Sequence, residues 1–534
     1  MNLAAQVETS MLPLHIKGER NRMNFLVRQK ARELLKSGNI QFKNSPVSLR
    51  NKFLGKGKKV TVVTAAYNAE KFIRKTIESV IDQTMGIDQI EYIIIDDCST
   101  DGTNKIIQEY TAKYKNICSV TLKQNNGSPG TPRNIGIELG TSKYITFLDA
   151  DDWLAQDGLE SLYNILEETG DDYVVGKTVK VESGSESVIG EFASIKERRS
   201  ITPMDVPHFF YHMGPTARMM NLSMVKENEI GFPNMKFGED KWFFTDVFFK
   251  VRAVSTTKKP IYYVNRTSEN PSSLTRVTNV LDKRKADIEI IKYIQSKDIA
   301  IELKKVALNR IYEYDIVKTF DSQIFVKSKN KEDFIEILRE AVETAKNLSY
   351  DFKNEFKVPI YKLALELFME DRIDDFVKLF EWLKRDSNKK YYIKDGLPYY
   401  ELPFLKDENR FVRIPMLARA LDSYILDNVY HQSFEIYGDD INNIDSVLIR
   451  DRTRIDNEIN CGVQIEGNRG HFTVSLDEID KMEKSLFTVF IRYNDYQLVN
   501  IKRILKNKMT YNKKNVEFYT TVANNLGLAI KSLE

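Results

Sequence analysis

Three cysteines in 534 residues, Cys98, Cys118 and Cys461, are too few and too scattered to frame a fold. No C-x-x-C occurs, which excludes a disulfide framework and a cysteine zinc site and predicts a reducing cytosol. Histidine is nearly as scarce. His15, His208, His212, His431 and His471 show no metal-ligand spacing; His208 and His212 stand four apart without a third ligand nearby, and read as structural or as lining the acceptor side. No run of about 18 apolar residues occurs, which excludes a membrane-spanning helix. The N-terminus lacks the basic-then-apolar pattern of a signal peptide, so the expected location is the cytoplasm. Phosphate loops are missing too. GKGKK at Gly55–Lys59 precedes a strand instead of joining a strand to a helix, and it lacks the Walker spacing. The first strand-to-helix turn, AAYNAEKF, has no G-x-G-x-x-G, which counts against an NAD or FAD enzyme. In DDCSTDGT, Asp97, Ser99, Asp101 and Gly102 imitate a calcium loop, but Gln108 stands where such a loop ends in glutamate. Nothing has the interleaved basic and aromatic residues of a nucleic-acid module.

What is present is a soluble, globular composition in a chain too long for one core, so two to four domains are expected. The net charge of +3 conceals an asymmetry: residues 1–59 hold 13 Lys and Arg against 3 Glu, about +10, and the remainder is near −7. Such a basic extension, taken as residues 1–57, implies an anionic neighbour, either a polyanionic substrate or the inner membrane face, with a solvated helical leader as the alternative. A helical stretch runs from about Asn24 to Lys36.

Strands are predicted over Lys59–Ala65, Glu91–Asp97, Ile117–Lys123 and Tyr144–Leu148. Helices are predicted from Asn68, over Thr103–Tyr114 and over Arg133–Leu139. This alternation implies an α/β fold, a mostly parallel, doubly wound sheet. Just past the last strand stand Asp149, Asp151 and Asp152. Three carboxylates at a strand end repel one another unless something positive sits among them, and D-x-D spacing lets two reach one hard divalent cation. The alternative is an acidic surface loop. In NNGSPGTPRNIG, prolines and glycines fix a tight path, and Arg133 projects from the first helical turn, where a guanidinium suits a phosphate. In KFGEDKWFF, Glu239 and Asp240 are bracketed by Phe237 and Trp242, and a carboxylate held against aromatics has a raised pKa that suits a general base. A helix N-terminus would also favour these acids.

Residues 154–275 mix helix and strand, with a flexible NPSSL near the end. Residues 280–385 are helical throughout. After Asn388 the period switches to two, as in a β-sandwich, with no catalytic constellation; an oligomerisation or binding module is expected there.

VVTAAYNAEKF, IIIDDCSTDGT, NNGSPGTPRNIG, FLDADDW and GEDKW, in this order, resemble the family 2 glycosyltransferases with the GT-A fold. More closely, NNGSPGTPRN, GPTARMMNLSMVKENEIGFP and KFGED look like the wall teichoic acid polyribitol-phosphate N-acetylglucosaminyltransferases. After the basic extension over 1–57, the resemblance implies a GT-A domain over 58–275, a helical linker over 276–395 and a C-terminal β-sandwich over 396–534 that makes a homotrimer. It implies an inverting, Mn²⁺- or Mg²⁺-dependent transfer from a UDP-sugar, N-acetylglucosamine first, to an anionic polyol-phosphate. It also assigns roles. Ala65, where the family usually has proline, and Tyr67 would border uracil and ribose; Asp97 would accept from uracil N3; Asn126 and Arg133 would help hold the nucleotide. Asp149 would take the ribose or lie near the metal, and Asp151 would be the metal ligand. Asp240 would be the base with Glu239 beside it, and Arg266 would lie near the diphosphate or acceptor. The family's histidine near the metal is replaced here by SENPSS. Two alternatives stay open: a capsular or other surface-polysaccharide transferase using UDP-glucose, UDP-galactose or UDP-GalNAc, and a non-catalytic carbohydrate-binding scaffold, against which the intact Asp97, Asp151 and Asp240 argue.

Overall fold

The computed structural model describes residues 27–44, 57–206, 208–270, 279–386, 389–502, 507–512 and 514–532. Two compact units emerge, Met1–Ala150 with Met219–Val251, and Asp151–Arg218 with Arg252–Glu534.

The first unit is built on β1 (Ile40–Lys43), β2 (Val60–Ala66), β3 (Ile90–Asp96), β4 (Ile117–Leu122) and β5 (Tyr144–Phe147), interleaved with α1 (Gln29–Ser37), α2 (Ile73–Ile81), α3 (Thr103–Lys113) and α4 (Gly130–Leu139). The spatial order is β1-β4-β3-β2-β5. Strands β2 to β5 are parallel, and β1 closes the edge antiparallel to β4. Every residue of β3 and β5 is buried, as parallel strands covered on both faces require. From β2 the chain moves to β3 and β4 on one side, then returns to β5 on the other. The carboxyl ends of β2, β3 and β5 therefore border a topological switch point, where open α/β sheets bind ligands. Helix α4 lies tight against β2: a Cβ on Gly136 would stand 2.3 Å from Val63 Cγ1.

Two expectations are corrected in this unit. The helix predicted from Asn68 begins at Ile73 instead. Asn68 sits at φ 48°, its Oδ1 accepts from the Thr100 amide at 2.8 Å, and Glu70 Oε2 accepts from the Gly102 amide at 3.0 Å. Polar side chains here bind the neighbouring loop in preference to opening a helix. Part of the basic extension is also built into the fold. Residues 1–26 and 45–56, with the first two residues of GKGKK, lie outside the described residues, but α1 packs on α4 and β1 joins the sheet. Arg28, fully buried, pairs with Glu138 at 3.2 Å and Glu229 at 3.0 Å, and Arg32 pairs with the same two at 3.0 and 2.7 Å. These cations are neutralised internally.

In the second unit, Tyr173–Glu182 runs parallel to Val254–Asn265, which also takes Trp153–Leu154 as an antiparallel neighbour. The helical stretch extends from Val280–Ser296 to Ile373–Arg385. Within it the helix Ile301–Asn309 passes into a π-helical turn, Arg310–Ile316, where Arg310 pairs with Asp315 at 2.6 Å. Strands begin at Tyr391, slightly before the boundary expected at 396: Tyr391–Lys394, Leu397–Glu401 and Phe411–Arg413 form a small sheet. The strands from Met416 onward close around one core that includes Tyr430, Phe434, Phe472, Phe487 and Phe518. Leu486–Tyr493 alternates inward and outward, the period read from the sequence. This β-rich region grips the hairpin that follows Tyr173–Glu182: the Glu186 amide donates to Thr453 O at 2.7 Å, and Arg450 Nη1 donates to Glu191 Oε2 at 2.9 Å. Among the described residues no helix is long and apolar enough to cross a membrane.

Candidate active site

Asp97 follows β3 directly and is buried. Its Oδ2 accepts from the Asn126 amide at 3.0 Å and its Oδ1 from Asn126 Nδ2 at 2.6 Å. Burial pushes its pKa up, and the Asn126 bonds hold it back. Ala65 and Tyr67 lie at the carboxyl end of β2, and the Tyr67 ring is 50% exposed, open to stacking.

Arg133 lies one turn into α4 and is buried. Its Nη2 donates to Asp149 Oδ1 at 2.6 Å and its Nη1 to Glu239 Oε1 at 3.0 Å. The guanidinium lies over the Phe232 ring, 5.2 Å from the centroid, and that ring stacks on Phe243 at 4.0 Å. Burial works against its charge, but Asp149 and Glu239 outweigh burial and raise its pKa. One cation thus joins the residues after β5 to the start of the helix Glu239–Phe248. The next residue, Asn134, fastens α4 to the backbone of Phe232, the ring under that guanidinium: Nδ2 donates to Phe232 O at 2.8 Å, and Oδ1 accepts from the Phe232 amide at 2.8 Å.

Glu239 and Asp240 open their helix after Gly238, at φ 85°. The structure divides the pair. Glu239 is buried and held by Arg133, whereas Asp240 is half-buried, its Oδ1 accepting from the Lys241 amide at 2.7 Å. Burial raises the pKa of both, and Arg133 pulls both down. A carboxylate with a raised pKa at an accessible position is equipped to take a proton.

The second unit begins with Asp151 and Asp152, and each accepts from neutral groups of the segment 262–270. Asp152 is buried; Tyr262 Oη donates to its Oδ2 at 2.9 Å and the Asn265 amide to its Oδ1 at 2.7 Å. It is structural. Asp151 is half-buried, and its Oδ2 accepts from Asn270 Nδ2 at 2.5 Å. Arg266 is tied to its own strand end, its amide donating to Val181 O at 2.8 Å and its Nη1 to Asn265 O at 3.0 Å. Among the described residues no group of three or more His, Cys, Asp or Glu side chains gathers as a cation cage. A single accessible carboxylate still fits Mg²⁺ or Mn²⁺, because such ions are commonly held by one or two carboxylates plus substrate phosphates.

Of the residues expected from the sequence, the fold brings together Asp97 with Asn126, and Arg133 with Asp149, Glu239 and Asp240. Asn134 and Asn270 were not anticipated. Asn134 directly follows the singled-out arginine. Asn270 opens NPSSL, which reads only as a flexible stretch and whose residues 271–274 lie outside the described residues.

The sequence signature described as Glycosyl transferase family 2 matches residues 61–219. The poly(ribitol-phosphate) beta-N-acetylglucosaminyltransferase TarP of Staphylococcus aureus (strain N315) is 30% identical over 319 residues, 58% of this chain and 94% of TarP. The chain belongs to glycosyl transferase family 2. This family 2 glycosyltransferase is also 27% identical, over 346 residues, to the poly(ribitol-phosphate) beta-glucosyltransferase of Bacillus spizizenii (strain ATCC 23059 / NRRL B-14472 / W23). That match covers 63% of the chain but only 52%, about half, of the Bacillus enzyme's length. The crystal structure of S. aureus TarS shares the fold, with a TM-score of 0.56 at 18% identity, covering 89% of this chain and 86% of that one. TarS 1–349 in complex with UDP-GlcNAc gives 0.55 at 20% identity, covering 67% and 99%. The expected GT-A-like α/β fold followed by helical and β-rich regions is borne out, and the non-catalytic scaffold is set aside.

Proposed function

We propose that this glycosyltransferase moves a sugar from a UDP-sugar to a hydroxyl of poly(ribitol phosphate), with inversion and with Mn²⁺ or Mg²⁺. The observation that carries the reading is the Arg133 bridge, which holds Asp149 and Glu239 and leaves Asp240 accessible beside them. The names of TarP and of the Bacillus spizizenii enzyme support the acceptor. They differ in the sugar: N-acetylglucosamine is the first reading, and glucose is the second, favoured by the Bacillus relative.

In this reading the uracil N3–H donates to Asp97, whose carboxylate Asn126 already orients. Ala65 and the exposed Tyr67 ring border the base and ribose. Asp149, fixed by Arg133, takes the ribose hydroxyls, Arg133 holds the nucleotide, and Arg266 serves the diphosphate or acceptor side. Asp151 is the carboxylate that would hold Mn²⁺ or Mg²⁺, whose charge would offset that of the departing diphosphate. Asp240 Oδ2 takes the proton from the acceptor hydroxyl as its oxygen attacks the anomeric carbon opposite UDP. The C1–O bond to UDP breaks, and the bonding pair leaves with the diphosphate. Such base catalysis is worth about 10²–10⁴ in rate.

The division into a catalytic part (58–275), a helical part (276–395) and a β-rich part that trimerises (396–534) belongs to the same proposal. So does a cytoplasmic location with peripheral contact at the inner membrane face. UDP release from UDP-GlcNAc and UDP-glucose, with poly(ribitol phosphate), poly(glycerol phosphate) or neutral polysaccharide as acceptor, tests the function. Turnover is expected with the ribitol polymer and Mn²⁺, and its loss in EDTA. Equal turnover on neutral polysaccharide would overturn the acceptor, and undiminished turnover in EDTA would overturn the cation.

A further inference from the structure

The segment 262–270 arranges the two aspartates that open the second unit, and it treats them differently. Asp152 is clamped through both oxygens by Tyr262 and the Asn265 amide, while Asp151 is held through Oδ2 by Asn270. Asn270 is only 2% exposed. Its Nδ2 donates to Asp151 Oδ2 at 2.5 Å and to Asn265 O at 3.2 Å. Both partners are acceptors, so the amide faces them with its nitrogen, and both N–H groups are committed.

The frame behind Asn270 is itself fixed. Asn265 Oδ1 accepts from the Thr267 amide at 3.2 Å and from Thr267 Oγ1 at 2.7 Å. The Arg266 amide donates to Val181 O at 2.8 Å and the Ser268 amide to Ser183 Oγ at 3.1 Å, tying the segment to the end of Tyr173–Glu182. The residue type matters as much as the place. A lysine or arginine here would neutralise Asp151 and leave nothing for a cation; an aspartate would repel it. A neutral amide orients the carboxylate and leaves its full charge.

We propose that Asn270 is the positioning residue of the cation site: it fixes the Asp151 side chain so that the carboxylate is presented, ready-oriented, to a divalent cation carried on the donor diphosphate. This rests on Asp151 being the cation ligand, as proposed above. The same frame gives a site of oxygen donors, suited to Mg²⁺ or Mn²⁺ over softer metals.

The test is calorimetric UDP binding, with Mn²⁺ and in EDTA, for the wild type, Asn270→Ala, Asp151→Ala and the double variant. Asn270→Ala should weaken Mn²⁺-dependent UDP binding about 10-fold, the low end for removing an outer partner of a metal ligand. UDP binding in EDTA should not change. In the Asp151→Ala background, Asn270→Ala should have no further effect, because its action passes through Asp151. Asn270→Ser, which keeps a hydroxyl donor, should fall between Asn270→Ala and the wild type. If Asp151→Ala retains full Mn²⁺-dependent affinity, the cation-site reading itself fails. If Asp151→Ala loses that affinity but Asn270→Ala does not, the positioning role alone fails. An equal loss from Asn270→Ala in EDTA, or in the Asp151→Ala background, would mean general loop packing and would also overturn it.

Discussion

Arg133 Nη1 donates to Glu239 Oε1 at 3.0 Å across 106 residues of chain, and this one contact decides which of two adjacent carboxylates is available for chemistry. A carboxylate committed to a buried guanidinium is poorly placed to accept a proton from substrate. Its neighbour Asp240, half-buried and bonded to the Lys241 amide through Oδ1, is better placed. Asp240→Asn is therefore expected to lower kcat by about 10²–10⁴ while UDP affinity holds. Glu239→Gln should mainly weaken UDP binding, because Arg133 loses a charged partner. Near wild-type turnover by Asp240→Asn, measured as UDP release, would remove the base assignment.

The same electrostatics predict a pH profile. Burial raises the Asp240 pKa and Arg133 lowers it. The base acts deprotonated, so kcat/KM should fall as pH drops through a value above the ordinary aspartate range of about 4. Arg133→Gln removes the counter-charge and should move that limb to higher pH. Stability follows with a definite sign. A carboxyl whose folded pKa is raised contributes stability below its unfolded pKa and loses it as pH rises through the folded value. Asp240→Asn should thus melt higher than wild type at neutral pH, with the difference vanishing near pH 4. A constant difference across that range would contradict the assigned burial effect.

Helix α4 carries Arg133, and its seating on β2 depends on Gly136, where a Cβ would stand 2.3 Å from Val63 Cγ1. Gly136→Ala should cost about 1–3 kcal/mol by overpacking and, by moving the helix, raise the Kd for UDP. Val63→Ala in the same chain should recover part of both losses. Denaturant midpoints and UDP calorimetry on the single and double variants check this; no recovery would place the effect elsewhere.

Much of this was legible in the chain itself. The apolar stretches VTVV, YIII and YITF are buried on both faces, so strands are the natural reading of such short unbroken runs, and β2, β3 and β5 lie within a residue of the expected places. The acids at 239–240 and the arginine at 133 were visible because charge beside aromatics or prolines is conspicuous. What was not legible is who holds whom. Nothing local to Asp152 says that Tyr262 and Asn265 will fix it, or local to Arg28 that Glu229 will pair with it, since each bond joins segments more than 100 residues apart. The start of α2 was misplaced because the competing partners of Asn68 and Glu70 lie on the next loop, at Thr100 and Gly102.

The basic character of residues 1–59 now divides into two parts with separate tests. Arg28 is 1% exposed and pairs with Glu138 and Glu229, so its charge is structural. Arg28→Ala should destabilise the fold, because it removes a buried guanidinium and leaves the half-buried Glu138 and Glu229 to Arg32 alone, and the denaturant midpoint should drop with little change in the salt dependence of the surviving activity. Deleting residues 1–57 whole would confuse this with any substrate role, since it also removes α1 and β1. Arg50, Lys52 and Lys56 are the charges to change instead. Replacing all three with Gln should raise the acceptor KM several-fold and flatten its dependence on ionic strength, as expected for steering of a polyanion screened over about 10 Å at 0.1 M salt. Unchanged KM and salt dependence in that triple variant would show that these three charges do not steer the acceptor.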